Sequence, residues 1–345
     1  HTDITRAFRN YHLFGFTGTP IFAENASSCG KANLRTTEQA FGDQLHSYTI
    51  VDAIRDKTVL PFRVDYLNSF RVRDGIDNHD VEGIDTDSAY MNPQRISAVV
   101  SYILEHFNQK TKRHASFQYK ERRVNGFNSL FATSSIKAAR AYYQEFKRQQ
   151  ADLPEARRLS VGIIYSYAPN AEAPGTGLLS EESMDPSALS QDDRAFLDEA
   201  IADYNQQFGA SFGTDASGFE GYYTSLSTAL AERRIDLVIV VDMFLTGFDS
   251  KSLNTLWVDK NLRAHGLIQA FSRTNRILNS VKTFGNIVCF RNLEEATNDA
   301  IALFGNKEAR GQVLLRPYGE YLSTSLETAP STHPTLPTTH PLTPT

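Results

Sequence analysis

The sequence predicts an α/β domain with a doubly wound parallel sheet. Two observations carry the α/β class. Short apolar segments recur along the chain, and longer segments with helical periodicity lie between them. The run Leu-Val-Ile-Val-Val at 237–241 is apolar at every position, as in a strand covered by helices on both faces.

The expected strands are 12–16, 62–67, 129–133, 161–167, 237–241, 255–258 and 286–290. The expected helices are 92–109, 135–150, 191–208, 219–234 and 264–278. Three regions break the alternation. Residues 21–55 are rich in Asn, Ser, Gly and Thr and read as a connection. Residues 167–193 carry Pro169, Pro174, Gly175, Gly177 and Pro186, and read as a surface insertion ahead of a helix. From Thr328 onward the chain has no acidic or basic side chain and holds 5 of the 13 prolines, which predicts an extended or disordered tail.

Composition narrows the function classes. With 41% apolar and 11% aromatic residues the chain can bury a sizeable core. A net charge of −5 gives no global basic field, so any nucleic-acid contact must be local. Cys29 and Cys289 lie far apart, and neither they nor the 9 histidines show metal-ligand spacing. This reads as a reduced, cytoplasmic protein without a metal site of its own. No apolar run approaches the ~18 residues of a membrane span, and no signal peptide is visible. Because the first residue is His1 rather than Met, the sequence reads as a fragment or processed form.

Four segments could carry chemistry. Gly266–Arg276 reads as a helix with Gln269, Arg273 and Arg276 at i, i+4 and i+7, which places one amide and two guanidiniums on one face. Leu267, Ile268, Phe271 and Thr274 are left for packing. Paired arginines without an acid nearby in sequence suit an anionic partner, because the planar guanidinium meets phosphate oxygens bidentately. The plain alternative is a solvated helix face. The run 245–249, Leu-Thr-Gly-Phe-Asp, follows the apolar strand. Gly247 permits a tight backbone beside a ligand, and Asp249 can take a ribose hydroxyl, orient an arginine or simply cap a turn. The segment 12–20 is a strand running into Thr17-Gly18-Thr19-Pro20, a β-turn unless its hydroxyls and amides meet phosphate. Finally, 128–135 is a strand ending in hydroxyls. Ser134 or Ser135 caps the next helix, whose N-terminus can receive a backbone phosphate.

Other signals fail. Cys29-Gly30-Lys31-Ala32 lacks the Ser/Thr and the first glycine of a P-loop. Glu145-Phe146-Lys147 has the spacing of a nuclease Glu-x-Lys pair but sits in a helical pattern with no Pro-Asp upstream. No Gly-x-Gly-x-x-Gly follows a predicted strand, which argues against a nucleotide-dependent oxidoreductase.

In combination, Thr-Gly-Thr-Pro (17–20), Leu-Thr-Gly-Phe-Asp (245–249) and Gln-x-x-Ser-Arg-x-x-Arg (269–276) resemble motifs III, V and VI of superfamily 2 helicases and translocases. The longer texture of residues 10–22, 45–54 and 242–290 resembles the motor of type I restriction enzyme R subunits, and the likeness runs from His1 to about Arg316. That resemblance implies a division of the chain. Residues 1–22 would end RecA-like domain 1, 23–57 would be a linker, 58–293 would be RecA-like domain 2, 294–327 would begin a helical region, and 328–345 would be the tail.

The resemblance also implies roles. Arg273 and Arg276 would be arginine fingers. Gln269, Gly247, Asp249, Thr17, Gly18 and Thr19 would bind nucleotide or couple it to movement. Thr246, Ser134 and Ser135 would contact DNA. ATP and Mg2+ would serve the full-length subunit, and this chain, lacking Walker A and the acidic motif II, would bind neither alone and be inactive by itself. The implied partners are double-stranded DNA, the specificity and modification (methyltransferase) subunits and the upstream remainder of the R subunit, with no membrane. The whole subunit would be a type I site-specific deoxyribonuclease and ATP hydrolase. A non-catalytic RecA-like interaction module, or the motor of another superfamily 2 helicase, would share much of this pattern.

Overall fold

The computed structural model describes residues 6–8, 10, 12–18, 20–23, 26, 35–67, 89–165, 189–305 and 310–315. Two short helices come before the sheet, α1 (Thr37–Phe41) and α2 (Ile50–Arg55). Each begins with a capping box, Thr36 with Gln39 and Thr49 with Asp52, which satisfies first-turn amides that would otherwise be orphaned. Helical structure thus lies inside the segment whose composition reads as a connection.

Six strands form one parallel sheet: β1 (Phe62–Tyr66), β4 (Asn128–Thr133), β5 (Val161–Ile164), β6 (Leu237–Val240), β7 (Leu253–Asp259) and β8 (Gly285–Cys289). Their spatial order is β1-β8-β7-β4-β6-β5, and every pairing is parallel. The chain enters at one edge, jumps to the middle at β4, runs to the far edge and returns. Helices α3 (Pro93–Lys110) and α4 (Ile136–Gln150) belong to the outward crossings and pack on each other. Helices α7 (Ala264–Phe271) and α8 (Glu294–Phe304) form a second packed pair around β8. Right-handed crossovers running in opposite directions along a sheet put their helices on opposite faces, so the sheet is doubly wound. Strands β4, β6, β7 and β8 are buried at every position, which accounts for the uninterrupted apolar character of 237–240. Between β5 and β6 come α5 (Gln191–Phe208), ended by Gly209 in the left-handed region, and α6 (Ala216–Ala231), opened by Asp215. The expected helix 219–234 is therefore shifted toward the N-terminus. The core centres on Trp257, which stacks on Phe290, with Phe131 and Tyr142 in edge contact beside them.

An antiparallel hairpin, β2 (Ser116–Tyr119) and β3 (Arg122–Asn125), lies between α3 and β4. Its signal is a short alternation around Lys120-Glu121, masked by the density of basic residues. A four-residue helix, α9 (Arg310–Val313), closes the described chain.

Two expectations are corrected. Residues 12–16 belong to no strand or helix, and Phe16 is 98% exposed. An apolar segment forms a strand only where a neighbour offers a hydrogen-bonding ladder, and none does so here among the described residues. The helix expected over 264–278 ends at Phe271. Leu60 N–H donates to Asn275 O at 2.8 Å, and Val59 and Arg276 form an antiparallel bridge, so the main chain after Phe271 pairs with the approach to β1 instead of continuing to wind. Thr19, Cys29-Gly30-Lys31-Ala32, the tail from Thr328 and nearly all of 167–193 lie outside the described residues.

Candidate functional site

Residues 241–252 leave β6 at the carboxyl end of the sheet and enter β7 at its amino end. Helix α7 makes the same traverse, starting after the last residue of β7 and ending near the first residues of β1 and β8. The motif-like residues therefore gather at the amino end, whereas ligands of open α/β sheets usually sit at the carboxyl end.

At that amino end Arg273 lies in the turn after α7. Its Nη1 donates to Phe248 O at 2.5 Å and its Nε donates to Gln269 O at 3.1 Å. Arg276 lies in the bridge beyond, and its Nε sits 3.0 Å from Asp249 Oδ1. The single helical face expected for Gln269, Arg273 and Arg276 is thus replaced by a helix end, a turn and a bridge. Both guanidiniums still converge on the 246–249 loop. Gly247 adopts a positive φ of 68° there and is exposed, so the chain can turn without a side chain in the way. Leu267, Ile268, Phe271 and Thr274 are buried, as their packing role requires.

Behind this group is Lys282, 1% exposed, whose Nζ donates to Lys251 O at 3.0 Å and Leu253 O at 2.6 Å. Burial, reinforced by the charge of Arg276 and opposed by Asp249, pushes its pKa down to about 7.

At the carboxyl end Ser135 Oγ accepts from Ala138 N–H at 3.1 Å and caps α4, while Ser134 is half-buried beside it. Thr246 is half-buried in the 241–252 loop. Thr17 and Gly18 occupy exposed chain outside the sheet. Glu145 and Lys147 pair with different partners, Arg148 and Asp203, as side chains on a solvated helix face do.

Sequence reasoning misses a buried ion cluster at this end. Arg95, at the start of α3, donates from Nη1 and Nη2 to both oxygens of Asp259 at 2.9 and 2.6 Å. Arg291 Nε donates to the same carboxylate at 3.1 Å, and so does Tyr142 Oη at 2.6 Å. Burial alone would raise the Asp259 pKa, but the hydrogen bonds and charges of Arg95 and Arg291 outweigh it and lower the value. Burial next to the carboxylate pushes the Tyr142 hydroxyl up. Arg95 and the carboxylate it bonds lie 164 residues apart, and no local pattern announces the cluster.

The six-stranded, all-parallel sheet defines a doubly wound α/β domain, with Arg273 and Arg276 gathered on a loop at one end. Residues 125–292 match the family model for type I restriction enzyme subunit R domain 3, and residues 1–94 match that for the SWI2/SNF2 ATPase. The chain is 38% identical, over 93% of its length, to the type I restriction enzyme SauMRSORF196P endonuclease subunit of Staphylococcus aureus (strain MRSA252), and covers 32% of that protein. It is 40% identical over the same share to the SsaAORF53P endonuclease subunit of Staphylococcus saprophyticus, again covering 32%. Among solved structures, a fragment of an HsdR subunit from Vibrio vulnificus aligns with a TM-score of 0.45 at 12% identity, over 81% of this chain and 41% of that one. Along 93% of its length the chain is thus similar to type I restriction enzyme endonuclease subunits, and it spans about a third of the length of the curated relatives it matches.

Proposed function

We propose that this chain is part of the ATP-driven motor that moves a type I restriction endonuclease along double-stranded DNA before cleavage. The observation that carries the reading is the convergence of Arg273 and Arg276 on the 246–249 loop at one end of the sheet, with the Arg276 side chain paired to the exposed carboxylate of Asp249. A guanidinium held this loosely is free to turn to the oxygens of a phosphoryl group, and the planar fork is the donor set that such oxygens fit. In this reading ATP is the substrate, Arg273 and Arg276 are the fingers, and Gln269, Gly247 and Asp249 shape their surroundings. Thr17, Gly18 and Thr19 couple hydrolysis to domain movement.

The sequence contains no Gly-x-x-x-x-Gly-Lys-Thr, and among the described residues no group of three His, Cys, Asp or Glu could hold a metal. The phosphate-cradling loop and the Mg2+ ligands would come from the other wall of the site. The 345-residue chain alone is expected to hydrolyse no ATP, and DNA-stimulated hydrolysis by the purified chain would refute that. Ser134 and Ser135 at the opposite end of the sheet, and Thr246 in the loop that the arginines meet, would contact DNA phosphates, with the capped start of α4 presenting its amides. Such contacts are sensitive to salt and indifferent to sequence, so target choice falls to a specificity subunit acting with the modification subunit, in the cytoplasm.

The test uses the full-length subunit assembled with its partner subunits. Arg276→Ala should abolish translocation, since an arginine finger is worth roughly 10³–10⁵ in rate, and should leave the melting temperature unchanged. Translocation at the wild-type rate would remove the finger assignment. Lysine at this position should restore little, because the bidentate fork is lost.

A further inference from the structure

The segment 241–252 links the two ends of the sheet, and each of its termini is held by a buried lysine. At the carboxyl end Lys260, with its side chain 4% exposed, donates to Val241 O at 3.3 Å and pairs with Asp242 at 2.8 Å. At the amino end Lys282 donates to Lys251 O and Leu253 O.

Lys282 is itself braced. Asn279 Oδ1 accepts the N–H groups of Val281 and Lys282, both at 3.1 Å, and Lys112 Nζ donates to Val281 O at 2.7 Å. Between the two pins, Met243, Phe244, Leu245 and Phe248 are buried. The Phe244 ring lies 4.8 Å from Phe248 and 5.1 Å from Tyr223, and Ser252 Oγ donates to Leu230 O. Only Gly247, Asp249 and Lys251 stand exposed in this stretch.

A connection between strands usually runs over the surface and yields easily. This one is packed like core. Lys282 has main-chain carbonyls rather than a carboxylate as its hydrogen-bond partners, so its burial costs free energy that an ion pair would partly offset. What it provides is a fixed relation between the end of the loop and the turn that precedes β8.

We propose that Lys260 and Lys282 are positioning residues that make 241–252 a stiff strap, so that displacement of Asp249 and Arg276 at one end of the sheet is carried to the Asp242 end beside Ser134 and Ser135. The inference rests on the motor reading. It assigns coupling, neither phosphate binding nor DNA binding, to the two lysines.

Lys282→Met and Lys260→Met, made singly in the full-length subunit assembled with its partners, test it through the ratio of distance translocated to ATP hydrolysed. Each variant should keep DNA-stimulated hydrolysis within about twofold of wild type. Each should lose at least about fivefold in that ratio, the lower end of typical coupling strengths. A residue with a merely structural role would lower both activities together and leave the ratio unchanged; that outcome in either folded variant overturns the proposal. Arg276→Ala, run in parallel, separates the two claims. If it translocates normally the motor reading fails. If it is inactive while the lysine variants stay coupled, only the strap fails. Should a methionine variant not fold, amide hydrogen exchange on the unaltered chain decides. The N–H groups of Leu245, Phe248 and Leu253 should exchange as slowly as those of β6, and exchange at the rate of an open loop overturns the strap.

Discussion

Asp249 Oδ1 and Arg276 Nε lie 3.0 Å apart, yet the two side chains are 63% and 42% exposed. Asp259 and Arg95 lie 2.6 Å apart at 2% and 5% exposure. Two arginine–carboxylate pairs in one domain thus sit at opposite extremes of solvation, and their energetics should differ accordingly.

The exposed pair should matter little for stability. Exposed ion pairs are worth about 0–1 kcal/mol, because water screens the attraction and two long side chains lose freedom. Asp249→Ala is therefore expected to leave urea unfolding of the chain within about 1 kcal/mol of wild type. In the full-length subunit the same substitution should slow translocation, since Arg276 loses the group that orients it. A large stability loss without an effect on translocation would mean that the pair is structural.

The buried cluster should behave in the opposite way. Asp259→Ala leaves the guanidiniums of Arg95 and Arg291 buried without their carboxylate, and removing one partner of a buried pair costs about 3–5 kcal/mol. Urea denaturation followed by the fluorescence of Trp257, which is fully buried two residues away along β7, measures this directly. A loss below about 1 kcal/mol would show that the cluster relaxes to admit water.

Lys282 predicts a pH dependence with a definite sign. Its pKa in the folded chain is depressed to about 7, against about 10.4 in an unfolded chain. Between these values unfolding takes up a proton, so stability rises with pH, by up to about 1.4 kcal/mol per unit. Below pH 7 both states are charged and the full burial penalty applies. The charged groups acting on it are Arg276 and Lys112, which favour the neutral amine, and Asp249, which favours the cation. A neutral amine keeps two N–H donors, enough for both carbonyls. Urea unfolding from pH 7 to 9 should show a rising contribution in wild type that Lys282→Met lacks; parallel curves would remove the assignment.

Gly285 tests how closely the turn after α7 approaches the sheet. A Cβ at this position would collide with Thr274 Oγ1 and stand 3.1 Å from Phe62 Cδ1. Gly285→Ala is expected to cost about 1–3 kcal/mol, the usual range for overpacking. A neutral result in thermal unfolding would mean that residues 274–276 move away from β8 at little cost.

Much of the fold was legible in sequence because it is written locally. Burial on both faces makes β6 apolar at every position, and the 3.6-residue period marks α3, α4 and α5 almost to the residue. The cap Ser135 carries its own signal in a hydroxyl that accepts a first-turn amide, whereas Asp215, which opens α6, lies ahead of the start expected at Phe219. The segment 264–278 misled because its apolar spacing continues past Phe271. The hydrogen bond from Leu60 to Asn275 that stops the helix comes from a distant part of the chain. Residues 12–16 misled for the converse reason, since local pattern does not reveal whether a pairing strand is at hand.

By itself, the sequence determined the alternation of strands and helices, the all-apolar strand β6 and the identity of the residues gathered around 245–249 and 269–276. Spacing and side-chain chemistry within a few residues are sufficient for each of these. Only the tertiary structure decided that Arg273 and Arg276 gather at the amino end of the sheet, that Asp249 receives Arg276, that Arg95 and Arg291 share Asp259, and that buried lysines hold both ends of 241–252. Each of these depends on hydrogen bonds or charges between segments brought together by parallel crossovers, and the short-range periodicity of a chain does not encode where such crossovers meet.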